Sequence, residues 1–263
     1  MSTVALIDGD VLAYHSCRPR GKNREEGTIL MKLDEDGRKI HPEYTRKEDA
    51  KYLMQSWDNF KRKLDATMKK VYCDEFMMAV GGRDNFRLNM FPDYKNNRHR
   101  NPKKQNKFVP MIRQLAVREG LAVFADYREA DDYIRTWAIE CARTGREYIV
   151  CTIDKDLRCI PGKYYNMMKE EMETITEHEA MRLYYEQLIM GDPTDNIPGL
   201  PGVGPKTARS LLLRCETKKE YRKEVMALYR SFYDDEWKDY LLSNGKLIHI
   251  QRHLNDFFTL ENW

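Results

Sequence analysis

The sequence predicts an α/β fold, with a mainly parallel central sheet and helices on both faces, followed by a helical region. Two observations predict it. Short apolar runs of strand length alternate with longer segments of helical periodicity. Acids also stand just past each predicted strand end, at Asp8, Asp84, Glu129 and Asp154. Ligands of parallel sheets bind at those ends. The expected division is residues 1–190 for the α/β core and 191–263 for the helical region.

The elements follow in order. Thr3 to Ile7 is a short apolar run that stops at Asp8-Gly9-Asp10, which suits a buried strand. Residues 18–27 read as a polar loop. Thr28 to Ile40 reads as a hairpin around Asp36-Gly37. Thr45 and Glu48 form a capping box that opens a long helix, with Ala50, Leu53, Trp57, Phe60, Leu64 and Met68 three or four apart. Phe76 to Val80 is the second strand, Phe108 to Arg118 a helix and Leu121 to Ala125 the third strand. Glu129 opens a helix to Arg143 that carries Ile134, Trp137, Ala138 and Cys141 on one face. Tyr148 to Ile153 is the fourth strand, and residues 163–175 are extended. Thr176 with Glu179 caps a helix to Met190, and the chain beyond 208 reads as mostly helical to Trp263.

Composition bounds the class. The chain has 263 residues, 33% charged and 41% hydrophobic, with a net charge of only +3. It is long enough to bury a sizeable core. Six cysteines show no paired spacing, which predicts reduced core residues rather than a zinc site or a disulfide framework. No apolar run approaches the length of a membrane span, and MSTVALIDGD lacks the features of a signal peptide.

The acids near the predicted strand ends are Asp8, Asp10, Asp84, Glu129, Asp131, Asp132, Asp154, Asp156, Asp192 and Asp195. Converging carboxylates repel and raise one another's pKa unless cations separate them. Oxygen ligands without a nearby His or Cys favour magnesium or manganese. Two such ions stabilise both the attacking and the leaving oxygen of a phosphoryl transfer.

Charge of the other sign is concentrated elsewhere. From Lys95 to Arg118 there are eight Lys or Arg and no Asp or Glu. Arg98, Arg100, Lys103 and Lys104 lie at its centre. Such segregation points to a polyanion, with acids for the metal and bases for the backbone of a nucleic acid. Tyr94 and Phe108 flank the segment as candidate stacking groups. His249 and His253 have helical spacing but no third ligand, and read as packing or surface residues.

The stretch Gly191 to Ala208, GDPTDNIPGLPGVGPKTA, combines both chemistries. Asp192 and Asp195 precede Gly199, Gly202 and Gly204, and Lys206 and Thr207 follow. Glycines at this density imply tight turns or a close approach, and free N–H groups at a helix start hold anions. A nucleotide-binding P-loop is excluded, because Pro205 breaks its register and no apolar strand precedes it.

Five motifs resemble the 5′-nuclease superfamily of flap endonucleases and 5′–3′ exonucleases, above all its stand-alone bacteriophage or bacterial branch. They are LIDGD (6–10), NFR with PDYKNNR (85–87, 92–98), EADD (129–132), TIDKDL (152–157) and the 191–208 stretch. The resemblance implies a magnesium-dependent nuclease acting on DNA with 5′ ends or flaps. It implies Asp8, Glu129, Asp131, Asp132, Asp154, Asp156, Asp192 and Asp195 as metal ligands, and a helix–three-turn–helix at 191–208. Gly202, Val203, Gly204 and Lys206, with Thr207, would hold the DNA backbone there, often with a potassium ion. Lys95, with Tyr94 and Arg87, would face the scissile phosphate, and residues 94–118 would form an arch. The second-strand acid of the family departs from pattern. Gly81-Gly82 stand in its place, with Asp84 as the candidate substitute. A cytoplasmic monomer working beside replication proteins is expected.

Two rival functions remain at this level. One is a non-catalytic DNA-binding module that retains the hairpin, supported by the displaced second-strand acid. The other is a PIN-type ribonuclease, against which the hairpin and the basic segment argue. DNA is left open against the RNA strand of a hybrid.

Overall fold

The computed structural model describes residues 3–17, 32–33, 39–40, 46–82, 84–96 and 106–263. In chain order the strands are β1 (Val4–Asp8), β2 (Lys32–Leu33), β3 (Lys39–Ile40), β4 (Glu75–Gly81), β5 (Val123–Ala125), β6 (Tyr148–Thr152), β7 (Gly162–Asn166) and β8 (Glu171–Ile175). The helices are α1 (Gly9–Ser16), α2 (Arg46–Val71), α3 (Phe86–Met90), α4 (Phe108–Arg118), α5 (Ala130–Arg143), α6 (Glu177–Met190), α7 (Pro205–Leu211), α8 (Lys218–Tyr233) and α9 (Trp237–Ile248).

Six strands form one sheet in the order β5-β4-β1-β6-β7-β8. All neighbours are parallel except β7 and β8, which pair as an antiparallel hairpin. β1 sits near the middle and is buried at every residue, which is why its sequence is an unbroken apolar run. Ala5 and Ile7 face one side with Val80 and Cys151, against Leu12, Phe60, Leu64 and Ile112 of α1, α2 and α4. Val4, Leu6 and Val150 face the other, against Ile134 and Ala138 of α5. Helices therefore cover both faces, as expected. The six cysteines are all buried and free.

Local signals account for most boundaries. Asp8 caps α1 through its side chain. Thr176 and Glu179 form the expected reciprocal box at the start of α6. Thr217 and Glu220 form a second box that opens α8. The β2–β3 pair matches the expected hairpin, while its Asp36-Gly37 turn and the Thr45 cap lie outside the described residues. The third strand is shorter than expected, beginning at Val123.

A separate apolar cluster builds the C-terminal part. Leu188 and Ile189 of α6 meet Leu200, Val203, Leu212, Tyr221, Tyr229 and Leu241. The expectation of helix to Trp263 is corrected here: α9 ends at Ile248, and the last fifteen or so residues are turns and irregular chain. Their backbone groups are taken by side chains of the α/β core. Arg135 donates to the Ile250 carbonyl at 2.9 Å, and the Gln251 N–H donates to Asp132 at 2.7 Å. Among the described residues no helix is long and apolar enough to cross a membrane.

Two glycines are obligatory where α6 runs into the hairpin. Gly191 has φ 70° and Gly199 has φ 60°. Their backbones touch, and a Cβ on Gly199 would lie 2.3 Å from the Met190 carbonyl. Gly199→Ala adds a left-handed penalty of about 1–2 kcal/mol to an overpacking cost of about 1–3 kcal/mol. A loss of at least about 2 kcal/mol in denaturant unfolding is the expected result, and an unchanged midpoint would contradict this packing.

Candidate active site

The C-terminal ends of β1, β4 and β6 open into a cleft of about 620 Å³. Asp8, Asp10, Asp84, Glu129, Asp131, Asp154, Asp156 and Asp195 all line it. These acids come from five separate stretches of chain, so their meeting is a product of the fold.

Hydrogen bonds hold the first of them in place. Asp8 Oδ1 accepts from the N–H groups of Asp10 and Val11 at 3.1 and 3.2 Å. Its Oδ2 accepts from the Thr152 hydroxyl at 2.8 Å. The Asp154 N–H donates to that same hydroxyl oxygen at 2.9 Å, and the Asp156 N–H donates to the Asp154 carboxylate at 2.9 Å. The Gln187 amide then donates to Asp156 at 2.7 Å. One network thus aligns the ends of β1 and β6 with α6.

The electrostatics divide the acids into two groups. Burial, then Asp10 and Asp154, push the Asp8 carboxyl up to about 7. Burial, then Asp154 and Asp192, push Asp156 up to about 7. Asp131 is raised well above its ordinary value by burial and by Asp154, Asp8 and Glu129. Burial works the same way on Glu129, but Lys95 and Arg87 outweigh it and lower its pKa. The difference is the presence of a cation. Among the described residues no ion pair reaches Asp8, Asp131, Asp154 or Asp156, whereas Lys95 contacts both Glu129 and Asp195, the latter at 3.6 Å. Tyr94 donates its hydroxyl to Glu129 at 2.9 Å. Lys95 is itself held in the left-handed region, with φ 57°.

This donor set suits a hard cation. It is made of carboxylate oxygens whose mutual repulsion lacks a compensating positive charge. Among the described residues no group of three acids, histidines or cysteines closes into a direct coordination cage.

The structure corrects four expected site residues and qualifies others. Tyr94 is buried in the second core and does not line the cleft, and Phe108 is buried in the first, so neither is placed to stack on a base. Arg87 does not face the cleft. Its guanidinium is buried and donates to Asp132 at 2.8 and 2.9 Å. It also donates to the carbonyls of Leu247 and His249, at 3.1 and 2.6 Å. Asp132 is fully buried and takes N–H groups of Glu129 and Gln251 besides, so its oxygens are already used in holding the fold. Val203 packs its side chain in the second core and spends its N–H on the Leu200 carbonyl. Asp192 does not line the cleft but adjoins Asp156 closely enough to raise it.

Gly202, Gly204, Lys206 and Thr207 lie away from the cleft, where the hairpin enters α7. Space around both glycines is open, and Lys206 and Thr207 are exposed. Arg98, Arg100, Lys103 and Lys104 lie outside the described residues. His249 is buried and bonded to Asp256 at 2.9 Å, while His253 is exposed, so both fit the packing-or-surface reading. Asp10 accepts from the Gly81 N–H at 2.9 Å and pairs with Arg113 at 2.8 Å. A carboxylate therefore does sit over the glycines that replace the second-strand acid. Arg128, which stacks over the Tyr133 ring at 4.1 Å, was not singled out from sequence. Its position beside the EADD quartet was the available signal.

Two tests follow. Arg87→Ala leaves Asp132 as a buried, uncompensated charge, and a stability loss of about 3–5 kcal/mol is expected in chemical unfolding. A change below about 1 kcal/mol would refute the anchoring role. The second concerns pH. Asp8 and Asp156 have folded-state values near 7 against an ordinary 3.8. Between those values the folded chain binds more protons than the unfolded one, so stability falls as pH rises through that window. Metal-free protein should lose this contribution between about pH 4 and 7, with a shallower dependence in Asp8→Asn and Asp156→Asn. Identical pH profiles for the variants and the parent would count against it.

Comparison with known proteins agrees with this architecture. A family model for the 5′-3′ exonuclease N-terminal, resolvase-like domain matches residues 39–186. DNA polymerase I of Geobacillus stearothermophilus is 32% identical over 174 residues, covering 57% of this chain and 20% of that protein. The flap endonuclease Xni of Shewanella sediminis is 29% identical over 136 residues, covering 48% of this chain and 53% of its own. The chain thus spans about a fifth of the polymerase and about half of Xni. Among solved structures, the 5′-exonuclease of bacteriophage T5 with divalent zinc ions bound shares the fold at a TM-score of 0.60 and 13% identity, over 94% of this chain and 86% of that one. The family match covers more than half of the sequence and includes the acids from Asp84 to Asp156; the chain belongs to the family of the 5′-3′ exonuclease N-terminal, resolvase-like domain.

Proposed function

We propose that this chain is a metal-dependent 5′ nuclease that hydrolyses phosphodiester bonds in DNA bearing 5′ ends or flaps. The observation that carries the reading is the convergence of acids from five chain segments on one cleft, where burial and mutual repulsion raise the pKa of Asp8, Asp131 and Asp156. Asp8, Asp131, Asp154 and Asp156 would hold magnesium or manganese. Asp84, Glu129, Asp192 and Asp195 would support them through water or position. When bound, a pair of such ions supplies an activated water and neutralises charge on the phosphate.

The chain's own residues do the rest. Lys95 stands at the cleft with its ammonium shared between Glu129 and Asp195. Transfer of that ammonium toward a phosphate oxygen would stabilise developing negative charge. Tyr94, buried between the same two acids, keeps them in place. The hairpin offers an open backbone at Gly202 and Gly204 beside exposed Lys206 and Thr207. Those features suit sequence-independent contact with a DNA backbone, with a potassium ion at the turn as the family resemblance implies. The helical part from residue 191 onward would then be the duplex-holding unit, and residues 1–190 the catalytic one.

Cleavage of 5′-labelled flap and blunt duplex substrates tests the reading, with magnesium and with EDTA. Metal-dependent release of flaps or of short 5′ pieces is expected. Asp154→Asn should reduce the rate by at least about 100-fold while DNA binding persists. Full activity in that variant would overturn the assignment of Asp154, and binding without cleavage by the parent protein would favour the non-catalytic alternative.

A further inference from the structure

Of the three cations that line the cleft, two are committed to its acids and Arg128 lies over the Tyr133 ring. Lys95 is paired with Glu129 and Asp195, and Arg113 with Asp10. A polyanion entering this cleft needs further positive charge beyond the rim. The structure provides it across α1. A groove of about 140 Å³ lies between α1, α2 and the turn joining β7 to β8. It is continuous with the cleft, because Val11 and His15 line both.

Arg62, Lys63 and Lys70 line the groove from α2. Their spacing places them within an arc of about 100° on that helix. Glu170 is the acid among the lining residues, and it is tied to Lys70 at 2.9 Å. The groove therefore keeps a positive balance. Between it and the cleft stands Tyr14, in the last turn of α1 and 42% exposed. Its ring meets the His15 ring edge-on at 5.5 Å. An exposed aromatic ring at this point suits stacking with an unpaired base, which single strands offer and duplexes do not.

We propose that this groove carries a single-stranded segment of the nucleic-acid substrate, crossing from the cleft over Tyr14 and His15 onto Arg62, Lys63 and Lys70. The inference rests on the nuclease reading of the cleft and extends it to the path of the strand beyond the reacting phosphate. The eight residues of α1 span about 12 Å, which corresponds to about two to four phosphates at a spacing of roughly 3.4 Å or more. A single strand shorter than that ends before the groove, and a longer one fills it.

The experiment measures binding in EDTA of 5′-fluorescent duplexes carrying single strands of about two or about ten nucleotides, over a salt series. The parent protein should bind the longer strand at least about tenfold more tightly. The glutamine variant R62Q/K63Q removes both charges while keeping part of each aliphatic stem, and should lose most of that length-dependent gain. Its log affinity against log salt should flatten by about 1.4, or about 0.7 for each lost phosphate contact. Y14A should also reduce the gain, with little change in the salt slope. Retention of the full gain and slope by R62Q/K63Q would overturn the proposal. Parent protein that cleaves with magnesium but shows no length gain would overturn the groove and leave the nuclease reading standing. A length gain lost in R62Q/K63Q, in a protein that cleaves nothing, would support the groove and remove the nuclease reading.

Discussion

The buried pair of Arg87 and Asp132 is the constraint around which the molecule is assembled. Arg87 follows the strand β4, Asp132 stands in the first turn of α5, and the carbonyls of Leu247 and His249 close the far side of the guanidinium. One planar fork thus joins three stretches that are distant in sequence. Charges this deep are tolerated because nearly every donor and acceptor is satisfied. The position of Asp132 fixes the start of α5, and so sets where Glu129 and Asp131 enter the cleft. The geometry of the cleft depends on a pair that does not itself line it.

The same pair explains the C-terminal segment. Residues 249–251 have little regular structure of their own, yet they are strapped to the α/β core by Arg87, Arg135 and Asp132. Asp256 then gathers His249 and Arg252, and Trp263 returns to the second core. The helical part is thereby tied to the α/β core through α6, through this strap and through the Lys95 N–H, which donates to the Asp195 carbonyl at 2.9 Å. Such a tie holds the hairpin of residues 199–207 in a defined relation to the acids.

Within the cleft, charge is arranged in opposition. The acids on the Asp8, Asp131, Asp154 and Asp156 side repel one another and are held in that state by burial and by a hydrogen-bond network through Thr152. The acids on the Glu129 and Asp195 side are balanced by Lys95. A fold gains nothing in stability from the first arrangement. Its persistence is understandable as a site prepared for cations, with Lys95 at the border between the two groups.

The sequence by itself determined the α/β class, the strand order of acids and the hairpin, because these rest on local signals. Apolar runs, capping boxes and glycine spacing act over a few residues and leave their pattern in the chain. It also marked which acids were candidates, since most follow a strand end and Asp192 and Asp195 open the glycine-rich hairpin. Tertiary structure alone decided their roles. Asp131 and Asp132 are adjacent in the same motif, yet one turns to the cleft and the other to a buried arginine. Val203 sits among glycines of the hairpin and faces the core. Asp10 comes to lie over Gly81 across seventy-one positions of chain. Which way a side chain points, and which distant group it meets, depends on contacts between segments, and nothing in the local pattern encodes those.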